Sequence, residues 1–255
     1  MNRIETMFED LQIQESEVPS LSEFRETVNT LKDFEEAAII KLLYLGAFRC
    51  SEVITKITPW ELEHQASKPY GRAMHCSFTD YKIKGKKEKV LLIRSLVAKR
   101  FKKPKNEGEE PKVVWKTVAL PCSTKYEPWV LDLLHFIRKQ AEKHKRTPAW
   151  SWNHGLRLDM TRMTLQNIVK RNLKIFYPTI HPRSLRHFRT NHLILNYHFN
   201  PYEVASYLGW GLKTSFAGTG IPTSMLDVYS QPSWQSYVKK MFTPIETFTK
   251  APSRR

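Results

Sequence analysis

The sequence is poor in the residues that build disulfide frameworks and zinc sites. Its three cysteines, Cys50, Cys76 and Cys122, are odd in number and far apart along the chain, which is typical of reduced thiols in a cytosolic protein. Long apolar runs are missing too, because even the stretch at residues 37–48 is too short to span a bilayer. Residues 1–12 are acidic and lack an apolar signal core. These absences argue against a secreted, disulfide-rich or membrane-spanning protein.

Acidic residues are also in short supply, and most of the chain is strongly basic. Lys and Arg number 41 against 25 Asp and Glu, for a formal charge of +16. Residues 1–36 hold ten of the acids and three of the bases, so residues 37–255 carry 38 bases against 15 acids. Hydrophobic residues still make up 41% of the chain, enough for a folded core. A folded chain with this charge predicts a polyanionic partner, in particular a nucleic acid.

The apolar periodicity predicts a mostly helical α+β fold with one small, three-stranded antiparallel sheet. Residues 1–20 are polar and aperiodic, which predicts a mobile acidic leader. The Asp33 to Glu36 capping pattern starts a helix that ends near Gly46, and a short helix follows over 49–54. Alternating segments predict strands over 74–83, 89–98 and 112–120. Further helices are predicted over 127–144, 163–175, 184–197 and 201–207.

Residues 81–116 form the most basic stretch of the chain, and apolar strand-forming residues are threaded through it. One interpretation is a solvated hairpin with a floppy tip. The interpretation we favour is a basic β-ribbon that lies against a phosphate backbone. The residues expected to contact that backbone are Lys84, Lys86, Lys87, Arg100, Lys102 and Lys103.

Two segments place arginines where they could hold an anion. In GAFRCSE, Arg49 follows a helix-ending glycine, and Glu52 lies one turn further on, where it could orient the guanidinium. In RSLRH, Arg183 and Arg186 are spaced i,i+3 and share one helix face. Adjacent guanidinium groups repel each other, so this pairing makes most sense around an anion.

These segments resemble the conserved boxes of the tyrosine recombinases, the lambda-integrase family. GAFRCSEV is similar to the family's G-x-R-x-S-E box, and SLRHFRTNHLI to its H-x-L-R-H-T-x-A-T-H-L-L box. YLGW followed by MLDVY is similar to its L-G-H/W … Y box. The boxes occur in family order, with the basic strand-rich segment between the first two. The resemblance implies a recombinase catalytic domain over 21–242, preceded by the leader and followed by a tail over 243–255.

The resemblance implies a role for each matching residue. Arg49 and Arg186 would clamp the scissile phosphate and match the charge of its pentavalent transition state. Tyr229 would be the nucleophile that forms a 3′-phosphotyrosyl link. Trp210 stands where the family has His or Trp, and its indole N–H can donate to the same phosphate. The family's general acid is a lysine after the second hairpin strand. Lys99 fits best, with Lys102 and Lys103 as alternatives.

The chain departs from the family pattern at two positions. Arg183 stands where the family usually has His, and a guanidinium cannot act as a general base at neutral pH. It is expected to be a third phosphate contact, while His181 or His187 could replace the missing His; archaeal and archaeal-virus integrases show similar replacements. The segment between Trp210 and Tyr229 is long and glycine-rich, which leaves cleavage in cis or in trans open. Tyr237 is a second candidate nucleophile.

The expected activity is site-specific DNA cleavage and rejoining, as in the integrases and recombinases of mobile genetic elements. The sequence has no P-loop and no acidic cluster for two metal ions, so we expect no metal and no cofactor. Expected partners are double-stranded DNA and further copies of the chain, as a dimer or tetramer, in the cytoplasm or on the nucleoid. Family members carry a further N-terminal DNA-binding domain, so DNA affinity here is expected to be weak and salt-dependent. The alternatives are DNA relaxation of the type IB topoisomerase kind and a catalytically decayed DNA-binding protein.

Overall fold

The computed structural model describes residues 18–54, 74–96, 115–143, 158–209 and 233–249. The described part is α+β, mostly helical, with a three-stranded antiparallel sheet in the order β1-β2-β3, and the predicted fold class is confirmed to that extent. The strands are β1 (His75–Ile83), β2 (Lys86–Leu96) and β3 (Trp115–Pro121). The helices are α1 (Leu21–Asn29), α2 (Phe34–Gly46), α3 (Cys50–Val53), α4 (Val130–Lys143), α5 (Arg162–Leu173), α6 (Pro182–Leu195), α7 (Pro201–Leu208), α8 (Val238–Met241) and α9 (Glu246–Thr249), with a 3₁₀ turn at Trp234–Ser236.

Helix α2 is the central element of the core. The Asp33 side chain accepts a hydrogen bond from the Glu36 backbone N–H and caps its first turn, as the sequence predicts. Residues 37–46 are all buried, because α1, α4 and α6 pack around the helix. A helix that is apolar on every face must be enclosed in this way. Its C-terminal end is therefore fixed on all sides, and the candidate site begins there.

Helix α1 was not among the predicted helices. Ser20 caps it by accepting from the Glu23 N–H at 3.2 Å, and the Glu23 carboxylate accepts from the Ser20 N–H at 2.8 Å. This reciprocal capping box is readable in the sequence S-L-S-E. Leu21, Phe24 and Val28 face the core, so the first described helix starts directly after the predicted leader, of which residues 1–17 lie outside the described part.

The strand β2 begins three residues earlier than the predicted start at residue 89. Ile83 pairs with Lys86, so the hairpin turn consists of Lys84 and Gly85 alone. Both have positive φ, 47° and 79°, as the type I′ turns that match the strand twist require. Residues 86–89 are all polar, so this start of β2 shows no alternation of apolar residues. The tight turn sets the register of the β1–β2 pairing.

Lys84→Asn should separate the stability of this hairpin from its affinity for DNA. Asn tolerates the left-handed conformation better than Lys, so the free energy of unfolding should rise by about 0.5 kcal/mol. The loss of one exposed charge should weaken DNA binding and reduce the slope of log K against log salt by about one. Urea unfolding and salt-dependent binding titrations measure the two effects. Lys84→Arg, which keeps both the charge and the strain, should change neither.

A buried hydrogen-bond chain ties the start of the described chain to α2. The His192 Nε2–H donates to the Pro19 carbonyl at 2.7 Å, and its Nδ1 accepts from the Tyr44 hydroxyl at 2.7 Å. Burial lowers the pKa of His192 to about 4, and the nearby Arg189 and Arg25 lower it further against the opposing bond to Pro19. The imidazole is therefore neutral at physiological pH.

This histidine should make the protein less stable as pH falls from about 6.5 to about 4. In that range the unfolded chain binds a proton on His192 that the folded protein does not, so unfolding is favoured by up to about 3 kcal/mol at the acid end. Above about pH 6.5 His192 does not make the free energy of unfolding depend on pH. Urea midpoints across this range test the prediction. His192→Gln should be less stable at neutral pH but should lack this part of the pH dependence. If stability falls as steeply with pH in His192→Gln as in the wild type, the prediction is wrong.

The segment after residue 232 folds back onto the sheet and helices. Trp234 and Phe242 contact the ring of Tyr81 on β1, with centroids 6.3 and 5.8 Å apart. Both residues therefore pack on their own domain. Residues 243–249 lie in the predicted tail, yet α9 packs on α1, and Phe248 contacts Tyr197.

Candidate phosphate-binding site

The candidate site is built on the sharp turn that follows α2. Gly46 ends the helix, and a Cβ atom there would lie 1.8 Å from the Phe48 ring, so only glycine fits. Ala47 then takes a left-handed conformation with φ of 44°, which L residues rarely adopt. The turn buries Phe48 and brings Arg49 to the surface at the start of α3.

Glu52 lies at the centre of the site and holds three cations. Its carboxylate accepts from the Arg49 backbone N–H and guanidinium, both at 3.0 Å. It also lies 3.3 Å from Lys116 Nζ and 3.9 Å from Arg186 NH1. Burial alone would raise the pKa of Glu52, but Lys116, Arg186 and Arg49 together lower it below its ordinary value. The carboxylate is therefore charged, and the sequence was right to pair it with Arg49.

Arg186 reaches the same carboxylate from α6. Its NH1 donates to the Ala47 carbonyl at 2.6 Å, and its NH2 donates to the Leu208 carbonyl at 3.2 Å. It therefore joins the turn after α2 to the last residue of α7. Burial lowers its pKa to about 10, although Glu52 opposes the shift. The structure thus brings Arg49 and Arg186, which are far apart in sequence, to one carboxylate.

Arg183 lies one helical turn before Arg186, on an exposed part of α6. Its Nε donates to His187 Nε2 at 3.1 Å, and its charge contributes to the lowered pKa of Arg186. His181 has a different task, because its Nδ1 accepts the Ser184 N–H at 2.9 Å and caps α6. Of the two histidines considered as a base, His187 is therefore the one beside the predicted phosphate contacts.

Lys116, which is fully buried on β3, was not among the predicted site residues. It shares a strand face with the buried Val118 and Leu120, so an inward-facing lysine was readable from the alternation alone. Burial is the main cause that lowers the pKa of Lys116 to about 7. Glu52 opposes this shift, and Arg186 adds to it. Lys116 is the third cation of the site.

A second buried guanidinium fixes the elements behind the site. Arg189 of α6 lies 5.2, 5.3 and 5.6 Å from the ring centroids of Tyr44, Tyr197 and Tyr207. It donates to the Tyr207 hydroxyl at 3.3 and 3.2 Å, and that hydroxyl donates to the Leu45 carbonyl. Helices α6 and α7 are therefore tied to the end of α2, from which the turn starts.

The other predicted site residues divide into two groups. Lys84, Lys86 and Lys87 are exposed at the tip of the β1–β2 hairpin. The remainder lie outside the described residues: Lys99, Arg100, Lys102, Lys103, Trp210 and Tyr229. In the part of the chain that the structure describes, no three His, Cys, Asp or Glu side chains come together as metal ligands would. No helix there is both long and apolar enough to cross a membrane.

Comparison with known proteins identifies no relative of this chain. No protein-family model matches it, and no curated protein or solved structure is significantly similar to it.

Proposed function

We propose that this protein is a tyrosine recombinase that cuts and rejoins DNA through a 3′-phosphotyrosyl intermediate. The observation that carries the proposal is the convergence of Arg49 and Arg186 on Glu52. Two of the three resembling segments supply these arginines, and they are 137 residues apart in the numbering. A resemblance by chance would give no reason for the two segments to meet.

The charge of the site favours an anion as its ligand. Three cations, Arg49, Arg186 and Lys116, surround a single carboxylate, Glu52, so the site has excess positive charge in a largely desolvated setting. A phosphodiester would offset that excess, and guanidinium groups match its oxygens in a bidentate geometry. Of the three cations, Arg49 has the most exposed side chain, at 27%, and it can reach a bound phosphate without unfolding the turn.

In the proposed reaction, the phenolate of Tyr229 attacks the phosphorus of one phosphodiester. A Tyr229 Oη–P bond forms, the bond from phosphorus to the 5′-oxygen breaks, and the 5′-oxygen takes up a proton from a lysine general acid, for which Lys99 fits best. Arg49 and Arg186 stabilise the charge that builds on the non-bridging oxygens. The phosphotyrosyl bond keeps the energy of the broken diester, so rejoining with a 5′-hydroxyl needs no ATP.

Of the two candidate nucleophiles, the geometry disfavours Tyr237. Its hydroxyl is fully buried, accepts from the Ala119 N–H at 3.1 Å and donates to the Thr117 carbonyl at 2.9 Å. Burial raises the pKa of Tyr237 well above its ordinary value, which is the opposite of what a nucleophile needs. The proposal therefore assigns attack to Tyr229.

The anchoring of Ser233 supports attack within one copy of the chain. The Ser233 carbonyl accepts from the Ser206 hydroxyl at 3.0 Å, and Ser206 lies on α7, whose last residue, Leu208, is bonded to Arg186. Tyr229 is four residues before Ser233 in the sequence. A tyrosine this close in sequence to an anchor beside α7 favours attack in cis.

A trapping experiment tests the function without knowledge of the target sequence. The full chain is incubated with a pool of nicked duplexes of random sequence, in which the cleaved strand end diffuses away and the covalent intermediate accumulates. We expect an adduct that survives detergent, maps by peptide mass to Tyr229 and disappears in Tyr229→Phe. Tyr237→Phe is the matched control and should still form it.

The other outcomes identify the alternative functions. Relaxation of any supercoiled plasmid, whatever its sequence, would indicate a topoisomerase of the IB kind, which shares this chemistry. Retarded DNA with no adduct at any site would indicate a DNA-binding protein that has lost catalysis, as the Arg183 replacement favours. An adduct that persists in Tyr229→Phe would overturn the assignment of the nucleophile.

A further inference from the structure

The surroundings of Lys116 fit its charged form better than its neutral form. Its Nζ donates to the carbonyls of Gly46 at 2.8 Å and Ala47 at 3.0 Å, and lies 3.3 Å from Glu52 Oε2. Three oxygen acceptors use all three hydrogens of an ammonium group. A neutral amine has two hydrogens, so its lone pair would face one of the oxygens. Loss of the proton therefore costs the turn one of these contacts.

The turn depends on these contacts because its backbone is strained. Ala47, with its positive φ of 44°, has a carbonyl that accepts from two cations, Lys116 and Arg186. Both bonds hold a conformation that the residue would rarely adopt alone. Arg49 follows two residues later, so its direction is set by this turn and by Glu52.

The groups around the ammonium have opposing effects on the pKa of Lys116. From the turn after α2, the Phe48 ring lies 4.3 Å away. From α3 and its N-cap, Glu52 favours the charged form and Arg49 disfavours it; from α6, Arg186 disfavours it. With burial added, the pKa of Lys116 falls to about 7, so both forms are populated near neutral pH.

Other polar groups packed against β3 are engaged elsewhere. The Tyr237 hydroxyl bonds to the backbone of Thr117 and Ala119, and Glu203 of α7 pairs with Lys240 of α8 at 2.6 Å. Among the described residues, the charged groups that act on the ammonium are therefore those of the site itself.

We propose that Lys116 is a positioning residue of the anion site: its ammonium holds the turn at residues 46–49, and loss of its proton misaligns Arg49 and weakens anion binding. The inference rests on the proposed function, because it takes Arg49 and Arg186 as the phosphate clamp. Linkage works in both directions, so an anion held by the clamp stabilises the charged Lys116 in return. Lys116 itself is buried and is assigned no contact with the phosphate.

Sulfate is the probe for this coupling, since its charge does not change between about pH 6 and about pH 9. At constant ionic strength, calorimetric titration of the wild-type chain should give a dissociation constant that rises about tenfold across this range. Lys116→Arg, which stays charged, should bind as tightly as the wild type at low pH and lose most of the dependence. Lys116→Met should bind weakly at every pH. His187 is present in all three proteins, so its titration cancels in the comparison.

A measurement on the unaltered protein keeps the test valid if these variants do not fold. With ¹³C-labelled lysine, the Cε signal of Lys116 reports its titration directly. Saturating sulfate should raise the midpoint by about one pH unit, the counterpart of a tenfold change in affinity. A midpoint that sulfate leaves in place would overturn the proposal.

One further variant separates this inference from the function on which it rests. If Arg49→Ala binds sulfate as the wild type does, or if the wild type binds none, the clamp is wrong and the inference falls with it. If sulfate binding requires Arg49 but has the same pH dependence in wild type and Lys116→Met, only the role of Lys116 is overturned.

Discussion

Arg49→Ala should reduce the rate of covalent DNA cleavage by about 10³-fold while leaving DNA affinity within about tenfold of the wild type. The guanidinium is expected to act on charge that appears only in the pentavalent transition state, so its loss affects the chemical step more than binding. Single-turnover cleavage of the nicked duplexes gives the rate of the chemical step. Binding titrations at controlled salt concentration give the DNA affinity.

Arg49 is a cleaner target than Arg186 for this test. Arg186→Ala should also abolish cleavage, but it removes the bonds to the Ala47 and Leu208 carbonyls and would loosen α7 as well. The matched control is Arg138→Ala, since Arg138 pairs with Glu142 one turn along an exposed part of α4 and should be neutral. Cleavage at the wild-type rate by Arg49→Ala would refute the clamp.

Gly46→Ala should destabilise the fold by about 3 kcal/mol or more and eliminate cleavage even where the protein remains folded. The added methyl group would overlap the Phe48 ring, which is buried in the core and cannot move aside. Relief requires the turn to open, and the turn sets the position of Arg49. Urea unfolding and single-turnover cleavage measure the two consequences.

Gly85→Ala supplies the matched comparison for this substitution. Gly85 has positive φ but nothing within 4 Å of an added Cβ, so only backbone strain of about 1 kcal/mol is expected. A double-mutant cycle of Gly46→Ala with Phe48→Ala isolates the clash, and the pair should be less destabilised than the sum of the single variants. Additive effects would show that the overlap is not the cause.

Local signals in the sequence were sufficient for much of the fold. Asp33 caps α2 and Gly46 ends it as predicted, because caps and stops depend on neighbours in sequence. The start of β2 was predicted three residues too late, since residues 86–89 are polar and the turn at Lys84 and Gly85 brings them into the pairing. Helix α1 was missed although the box of Ser20 and Glu23 is local.

Pairing between neighbours in sequence was predictable from the residues themselves. Contacts over long sequence separations were not, apart from the meeting of Arg49 and Arg186 that the family resemblance implied. Glu52 and Arg49 are three residues apart, and their pairing was readable. Lys116 bonds to Gly46 across 70 positions, so its partners appear only when β3 is placed beside the end of α2. A lysine at an inward-facing strand position indicates that hydrogen-bond acceptors must be buried around its ammonium group. It does not indicate which residues supply those acceptors.

The phenol of Tyr237 has a consequence for how copies of this chain could assemble. In the described sheet β3 has β2 on one side, and the Tyr237 hydroxyl takes the backbone groups of Thr117 and Ala119. An unguarded sheet edge invites a strand from another molecule, and this single side chain fills the place where such a strand would dock. The outer edge of β3 at Thr117 and Ala119 is therefore closed to a strand from a second copy of the chain.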